Sequence, residues 1–252
     1  MGNLFRSGAY PTHSHEEHRQ HTHIDPHRRG ASGLSDIILG GQDGLVNVLG
    51  VILGVAAATQ DPYIVIVAGL SATFAESVSM GAVAYTSTIA EADYYDSEME
   101  REYRHIESVP GLERAEVQRI YEEKGFQGEL LEHIVDTITA NPDVWVAVMM
   151  SEEHQLAPTD RRQALKAAFV VGFSAIIGSL IPLIPFAFLP VVPSMIVSVV
   201  ITALVLFGVG AYKARLTVGN PGKSGLEMAV IGTLSALVGY AVGALLKVPA
   251  SP

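Results

Sequence analysis

Apolar residues occupy long, nearly unbroken blocks of this chain. From Ala167 through Tyr212 there are 46 consecutive residues without one Asp, Glu, Lys or Arg. A soluble core helix keeps a charged face, so a block of that length predicts two membrane spans at roughly 20 residues each. The same reading finds five spans in all: about Asp36 to Thr59, Tyr63 into the low nineties, Lys166 to Pro185, Pro190 to Tyr212, and Leu226 to Leu246. Asp61-Pro62 breaks the first pair. Pro182, Pro185, Pro190 and Pro193 bracket the turn between the third and fourth, and Asn220-Pro221-Gly222 precedes the fifth.

The stretch from Glu91 to Asp160 has a different pattern. It holds 18 of the 26 acidic residues, and its apolar positions recur at helical spacing, as in Leu130, Ile134 and Ile138. Breakers at Pro110-Gly111, Lys124-Gly125, Asn141-Pro142 and Pro158 cut it into three or four short helices. No breaker separates the second span from Glu107, so that span is expected to run on as one long helix. The fold class is therefore an all-α integral membrane protein. Five transmembrane helices carry a cytoplasmic helical metal-binding domain inserted between spans two and three. The expected boundaries are 1–34 for a His-rich disordered tail, 35–90 for spans one and two, 91–164 for the insertion and 165–248 for spans three to five.

Composition supports the membrane reading. Mean hydropathy is +0.32 over all 252 residues, above what a polar protein surface allows. The absence of cysteine excludes disulfides, thiolate metal sites and thiol catalysis. The tail lacks the apolar core of a secretory signal, so insertion falls to the first span. Four basic residues precede that span, eight lie from Arg101 to Lys166, and three lie between the fourth and fifth spans, while the loops near Asp61 and Leu189 have none. The positive-inside rule then puts the N-terminus in the cytoplasm and the C-terminus in the lumen. Net charge is −10, and no nucleic-acid partner is expected.

Two carboxylates fall deep within predicted spans. Asp43 lies in Gly40-Gly41-Gln42-Asp43-Gly44, and Glu76 lies near the middle of the second span. A charge at that depth costs several kcal/mol, so its default reading is functional. Met80 is four residues after Glu76 and shares its helix face. Hard oxygens with one soft thioether suit a first-row transition cation better than Mg²⁺ or Ca²⁺. A carboxylate in low dielectric takes up protons near neutral pH, and metal binding releases them, so proton-coupled exchange is expected. Two carboxylates make a small cage, which favours a homodimer pooling two sets at a two-fold axis. In the insertion, Glu102, His105, Glu113, Glu116, Met149, Met150 and Glu153 are candidate metal ligands, set against the simpler reading of a solvated acidic face and a packed Met-Met pair. The tail histidines His13, His15, His18, His21, His23 and His27 offer loose metal binding at most.

These segments resemble the plant branch of the vacuolar iron transporter family over about Asp36 to Leu246. The carrying motifs are Asp36-Ile-Ile-Leu-Gly-Gly-Gln-Asp43-Gly44-Leu-Val-Asn47, Glu76-Ser-Val-Ser-Met80-Gly81 and the long acidic insertion. The resemblance implies a homodimer in the vacuolar membrane that exchanges cytosolic Fe²⁺ for protons; the donor set itself leaves Zn²⁺, Mn²⁺ and Co²⁺ open as further candidate substrates. It implies that Asp43, Glu76 and Met80 line the ion path. It implies that Glu102, Glu113, Glu116, Met149, Met150 and Glu153 bind metal on the cytoplasmic side. The chain departs from the family pattern at His105, where relatives often carry glutamate, and at Ala84.

The competing reading is a membrane-anchored di-iron carboxylate enzyme, suggested by Glu102-Tyr-Arg-His105. Such a site needs a second motif of that kind, and the reading leaves Asp43 and Glu76 without a task. A channel, or a metal sensor that transports nothing, would also accommodate some of these residues. The expectation is a transporter, not an enzyme.

Overall fold

The computed structural model describes residues 31–217 and 219–246. The expectation for the His-rich tail lies outside them. Eight α-helices follow one another among the described residues: α1 (Ala31–Thr59), α2 (Pro62–Ser108), α3 (Pro110–Glu123), α4 (Gly128–Thr139), α5 (Pro142–Val148), α6 (Gln163–Leu183), α7 (Val191–Leu216) and α8 (Pro221–Leu245). A π-helical turn, Met149–Glu153, follows α5, and a 3-10 turn, Ile184–Ala187, follows α6. By length and composition α1, α2, α6, α7 and α8 are each able to cross a membrane.

Three of the breaks use one device. Asp61, Asn141 and Asn220 each precede a proline at the first helical position, and each side chain accepts hydrogen bonds from backbone N–H groups of the following turn. The cap satisfies donors that helix geometry leaves free, and proline has no N–H to lose there.

Helix α1 lies at the centre of the bundle, against α2, α6, α7 and α8. Glycine makes that approach close. A Cβ on Gly44 would meet the Ala175 carbonyl of α6, and one on Gly243 of α8 would meet the Gly54 carbonyl of α1. Val48, Leu49, Ile52, Leu53 and Ala56 of α1 form the core with Val65, Leu183, Phe186, Val191 and Ala236. The outward faces are apolar too, with Phe169 75% and Phe188 81% exposed, as lipid contact requires.

Helix α2 is 47 residues long, about 70 Å at 1.5 Å per residue. The hydrocarbon core is about 30 Å thick, so the C-terminal half of α2 projects beyond it, as the unbroken sequence predicted. The inserted helices pack against that projection. Val117, Leu131, Val135, Ile138, Trp145 and Met149 form their core. The Tyr103 hydroxyl donates to Asp143 at 2.8 Å, tying α5 to α2. Arg161 bridges Asp93 and Asp96 at 2.7 and 2.6 Å, tying the segment before α6 to the same helix.

Pro182 lies in the last turn of α6, and its carbonyl accepts from the Ser198 hydroxyl at 2.6 Å. The break falls at Pro185, whose carbonyl gathers Phe188 N–H, Leu189 N–H and the Ser194 hydroxyl. Helix α7 continues to Leu216, a turn beyond Tyr212, because Lys213 and Arg215 favour a helix C-terminus.

Candidate metal sites

The intramembrane constellation joins α1 and α2. Gly40 and Gly44 bring α1 against α6, Gly50 and Gly54 bring it against α8, and Asp43 and Asn47 fall one turn apart on α1. Asn47 Nδ2 donates to Glu76 Oε1 at 2.8 Å. The Asp43 carboxyl lies within side-chain hydrogen-bonding reach of Glu76. Met80 follows one turn along α2. Asp43, Glu76 and Met80 are half-buried, and Asn47 is exposed. The sequence reading assigned Asn47 no role. Its signal was its spacing, i+4 from Asp43, which the pairing with a second helix makes meaningful.

A cavity of about 350 Å³ opens between α1, α2 and α6. Met80 lines it together with Asp36, Glu91 and Lys166. From there α2 carries a polar stripe outward. Successive helical residues turn by about 100°, which sets Met80, Ser87, Glu91, Glu98, Glu102 and His105 within about 60° of arc. Glu98 is buried and pairs with Arg101 at 2.5 Å. Glu76 and Glu102 are 26 residues apart, about 39 Å along the helix, so the membrane constellation and the insertion are separate candidate sites.

The second constellation forms where α2, α3 and the π-helical turn meet. Glu102 and His105 lie on successive turns of α2, Glu113 and Glu116 on α3, and Glu153 and His154 at the end of the π turn. Ligand atoms of Glu102, His105 and Glu113 lie within 4.8 Å of one another, as do those of Glu102, Glu153 and His154. His105 Nδ1 is 3.4 Å from Glu113 Oε1 and 3.8 Å from Glu102 Oε1, and His154 Nε2 is 3.0 Å from the same Glu102 oxygen. Glu116 lies close enough to act electrostatically on both Glu113 and Glu153. Met149 packs in the apolar core of the insertion, and Met150 is equally buried. His154 was absent from the expected ligand set. It is four residues after Met150, but its partner Glu102 is 52 residues away, and nothing local announces that pairing.

The electrostatics of this cluster are unbalanced. Glu102 and Glu113 are 3% and 5% exposed, and the second carboxylate oxygen of each is buried without a hydrogen-bond partner. A buried unsatisfied polar group costs about 1–3 kcal/mol, more when charged. Burial pushes the Glu113 carboxyl above the usual carboxylate range, and the charges of Glu102 and Glu116 push it further, while His105 opposes them. Burial likewise raises Glu153, with Glu116 adding to the rise and His154 countering it. A bound cation would offset the crowded negative charge and give the unpartnered oxygens a partner. The set is oxygen and imidazole, which suits borderline divalent transition metals.

A family model described as the VIT family matches residues 34–244. The chain is 33% identical to "Vacuolar iron transporter 1" of Oryza sativa subsp. japonica, over 88% of this chain and 89% of that protein. It is 30% identical to "Vacuolar iron transporter 1" of Tulipa gesneriana, over 94% and 96% of the two chains. It is also 30% identical to "Vacuolar iron transporter" of Plasmodium falciparum, over 91% and 88%.

Proposed function

The chain belongs to the VIT family, and on that premise we propose that it carries Fe²⁺ from cytosol into the vacuole in exchange for protons. The observation that supports this most directly is the group Asp43, Asn47 and Glu76 inside two apolar helices, with Met80 one turn away. Carboxyl groups at that depth are costly, and alternate loading with a cation or with protons gives them a use. Asp43, Glu76 and Met80 form the transport path. Zn²⁺, Mn²⁺ and Co²⁺ are further substrates.

In this reading the insertion faces the cytosol and captures metal through Glu102, His105, Glu113, Glu116 and Glu153, with Met149 and Met150 beside them. Cations then pass along the α2 stripe to the cavity beside Met80. The N-terminus is cytoplasmic and the C-terminus lumenal. A second copy of the chain covers Asn47, whose amide is exposed at mid-span, where lipid offers it no hydrogen bond. The active protein is then a homodimer with the paired sites facing each other.

The test is Fe²⁺ uptake and proton movement in liposomes holding the purified protein, beside Asp43→Ala. Coupled movement in the wild type that is lost in the variant supports exchange through Asp43. Iron uptake with no proton movement rejects antiport in favour of a channel. A wild type that moves neither ion rejects transport.

A further inference from the structure

We propose that His105 and His154 are metal ligands that divide the insertion's cluster into two cation subsites sharing Glu102, and that they make it prefer Zn²⁺ and Co²⁺ over Mn²⁺. The inference rests on the reading of the insertion as a metal-capture unit and names the part of it that sets selectivity.

The geometry has three parts. The two imidazoles approach one oxygen: His154 Nε2 is 3.0 Å and His105 Nδ1 is 3.8 Å from Glu102 Oε1. Each imidazole has a second carboxylate of its own, Glu113 for His105 and Glu153 for His154, and in each trio the ligand atoms lie within 4.8 Å of one another. Metal–nitrogen and metal–oxygen bonds of about 2.0–2.2 Å place ligand atoms on opposite sides of an ion roughly 4 Å apart, so a modest contraction closes either trio. The other oxygen of Glu102 and the other oxygen of Glu113 are buried without partners. Glu102 therefore holds one oxygen between the two imidazoles and keeps the other without a partner, a disposition open to a carboxylate that bridges two cations about 3.5–4 Å apart.

Selectivity follows from the donors. Carboxylate oxygens suit Mn²⁺ as well as they suit later metals. An imidazole nitrogen raises affinity along the series from Mn²⁺ and Fe²⁺ toward Co²⁺ and Zn²⁺. One nitrogen in each subsite tilts both the same way, and Fe²⁺ remains an accepted cation between the extremes.

The bland alternative is that His154 only donates a hydrogen bond to Glu102. Glutamine also supplies that donor and is a poor ligand, so His→Gln separates the two roles. The full chain, purified in detergent, is titrated calorimetrically with Zn²⁺ and Mn²⁺ as wild type, His105→Gln, His154→Gln and the double variant. The expected result is a Zn²⁺-over-Mn²⁺ preference at least tenfold smaller in the double variant, with Mn²⁺ affinity held within about threefold. A preference unchanged within twofold, in a protein that melts as the wild type does, overturns the proposal.

A second measurement needs no variant. Carbethoxylation of the wild type is mapped by mass spectrometry with and without Zn²⁺. His105 and His154 have 45% and 23% of their side-chain surface exposed and are open to the reagent. Zn²⁺ should slow both at least fivefold and leave His133, exposed on α4, unaffected. Bound Zn²⁺ with no protection at either residue overturns the inference while metal capture stands. A wild type whose Zn²⁺ uptake is unchanged by Glu102→Gln and Glu113→Gln rejects the capture reading itself.

Discussion

Asn47 Nδ2 and Glu76 Oε1 are 2.8 Å apart, a hydrogen bond between two spans across 29 positions of sequence. It leaves one edge of the carboxyl toward Asp43 and fixes how far Glu76 can swing. A hydrogen bond to a charged group contributes about 1.5–3 kcal/mol. Asn47→Ala should therefore slow Fe²⁺ uptake into proteoliposomes roughly tenfold or more. The insertion, about 39 Å away, should bind metal as before. Equal loss in both assays would point to misfolding, and unchanged uptake would remove Asn47 from the path.

The stripe on α2 makes a different prediction. Glu98 is buried between the outer cluster and the cavity, and Arg101 neutralises it. If cations follow this face, Glu98→Gln should lower the uptake rate severalfold without changing how many cations the insertion holds at equilibrium. Stopped-flow uptake beside equilibrium titration distinguishes a step on the route from a ligand in the store. A rate equal to wild type would mean that ions leave the cluster by another face.

The glycine contacts predict stability rather than activity. A Cβ on Gly243 meets the Gly54 carbonyl, which is backbone and has no rotamer to yield. Overpacking of this kind costs about 1–3 kcal/mol, so Gly243→Ala should lower the melting temperature in detergent. Gly111→Ala is the control, because nothing lies within 4 Å of its added carbon. Equal melting of the two variants would mean that α8 shifts to accommodate the methyl group.

Much of this arrangement was legible in the sequence. One charge-free block located the third and fourth spans and long apolar runs with few charges located the other three, because each charge in lipid is costly, and the three Asx-Pro pairs located helix starts to within a few residues. The uninterrupted run through Glu107 announced the long α2. Asp43, Glu76 and Met80 stood out because a carboxylate at bilayer depth needs a reason. What stayed hidden depends on contacts distant in sequence. Asn47 is an ordinary polar residue until Glu76 faces it. His154 is one more residue in an acidic run until the π turn delivers it to Glu102. Pro182 sits in the last turn of α6, and its carbonyl accepts from the Ser198 hydroxyl of the next span, a partner that nothing local in the sequence announces.

The acidic cluster predicts opposite pH trends for the metal-free and metal-loaded protein. Glu113 and Glu153 are both raised above the ordinary value of 4.5, chiefly by burial and then by neighbouring carboxylates. The folded chain thus holds these protons more tightly than the unfolded chain does. Their contribution to stability is complete below about pH 4.5 and is lost as pH rises through the raised values. With saturating Zn²⁺ the sign reverses, because the cation takes the place of the protons and binds better as they leave. Melting curves of the full chain in detergent between about pH 5 and pH 8, with and without Zn²⁺, should diverge as pH rises. Glu113→Gln, which has no proton to lose, should flatten the metal-free trend and weaken the Zn²⁺ effect together. Parallel curves with and without Zn²⁺ would mean that these carboxylates do not hold the ion.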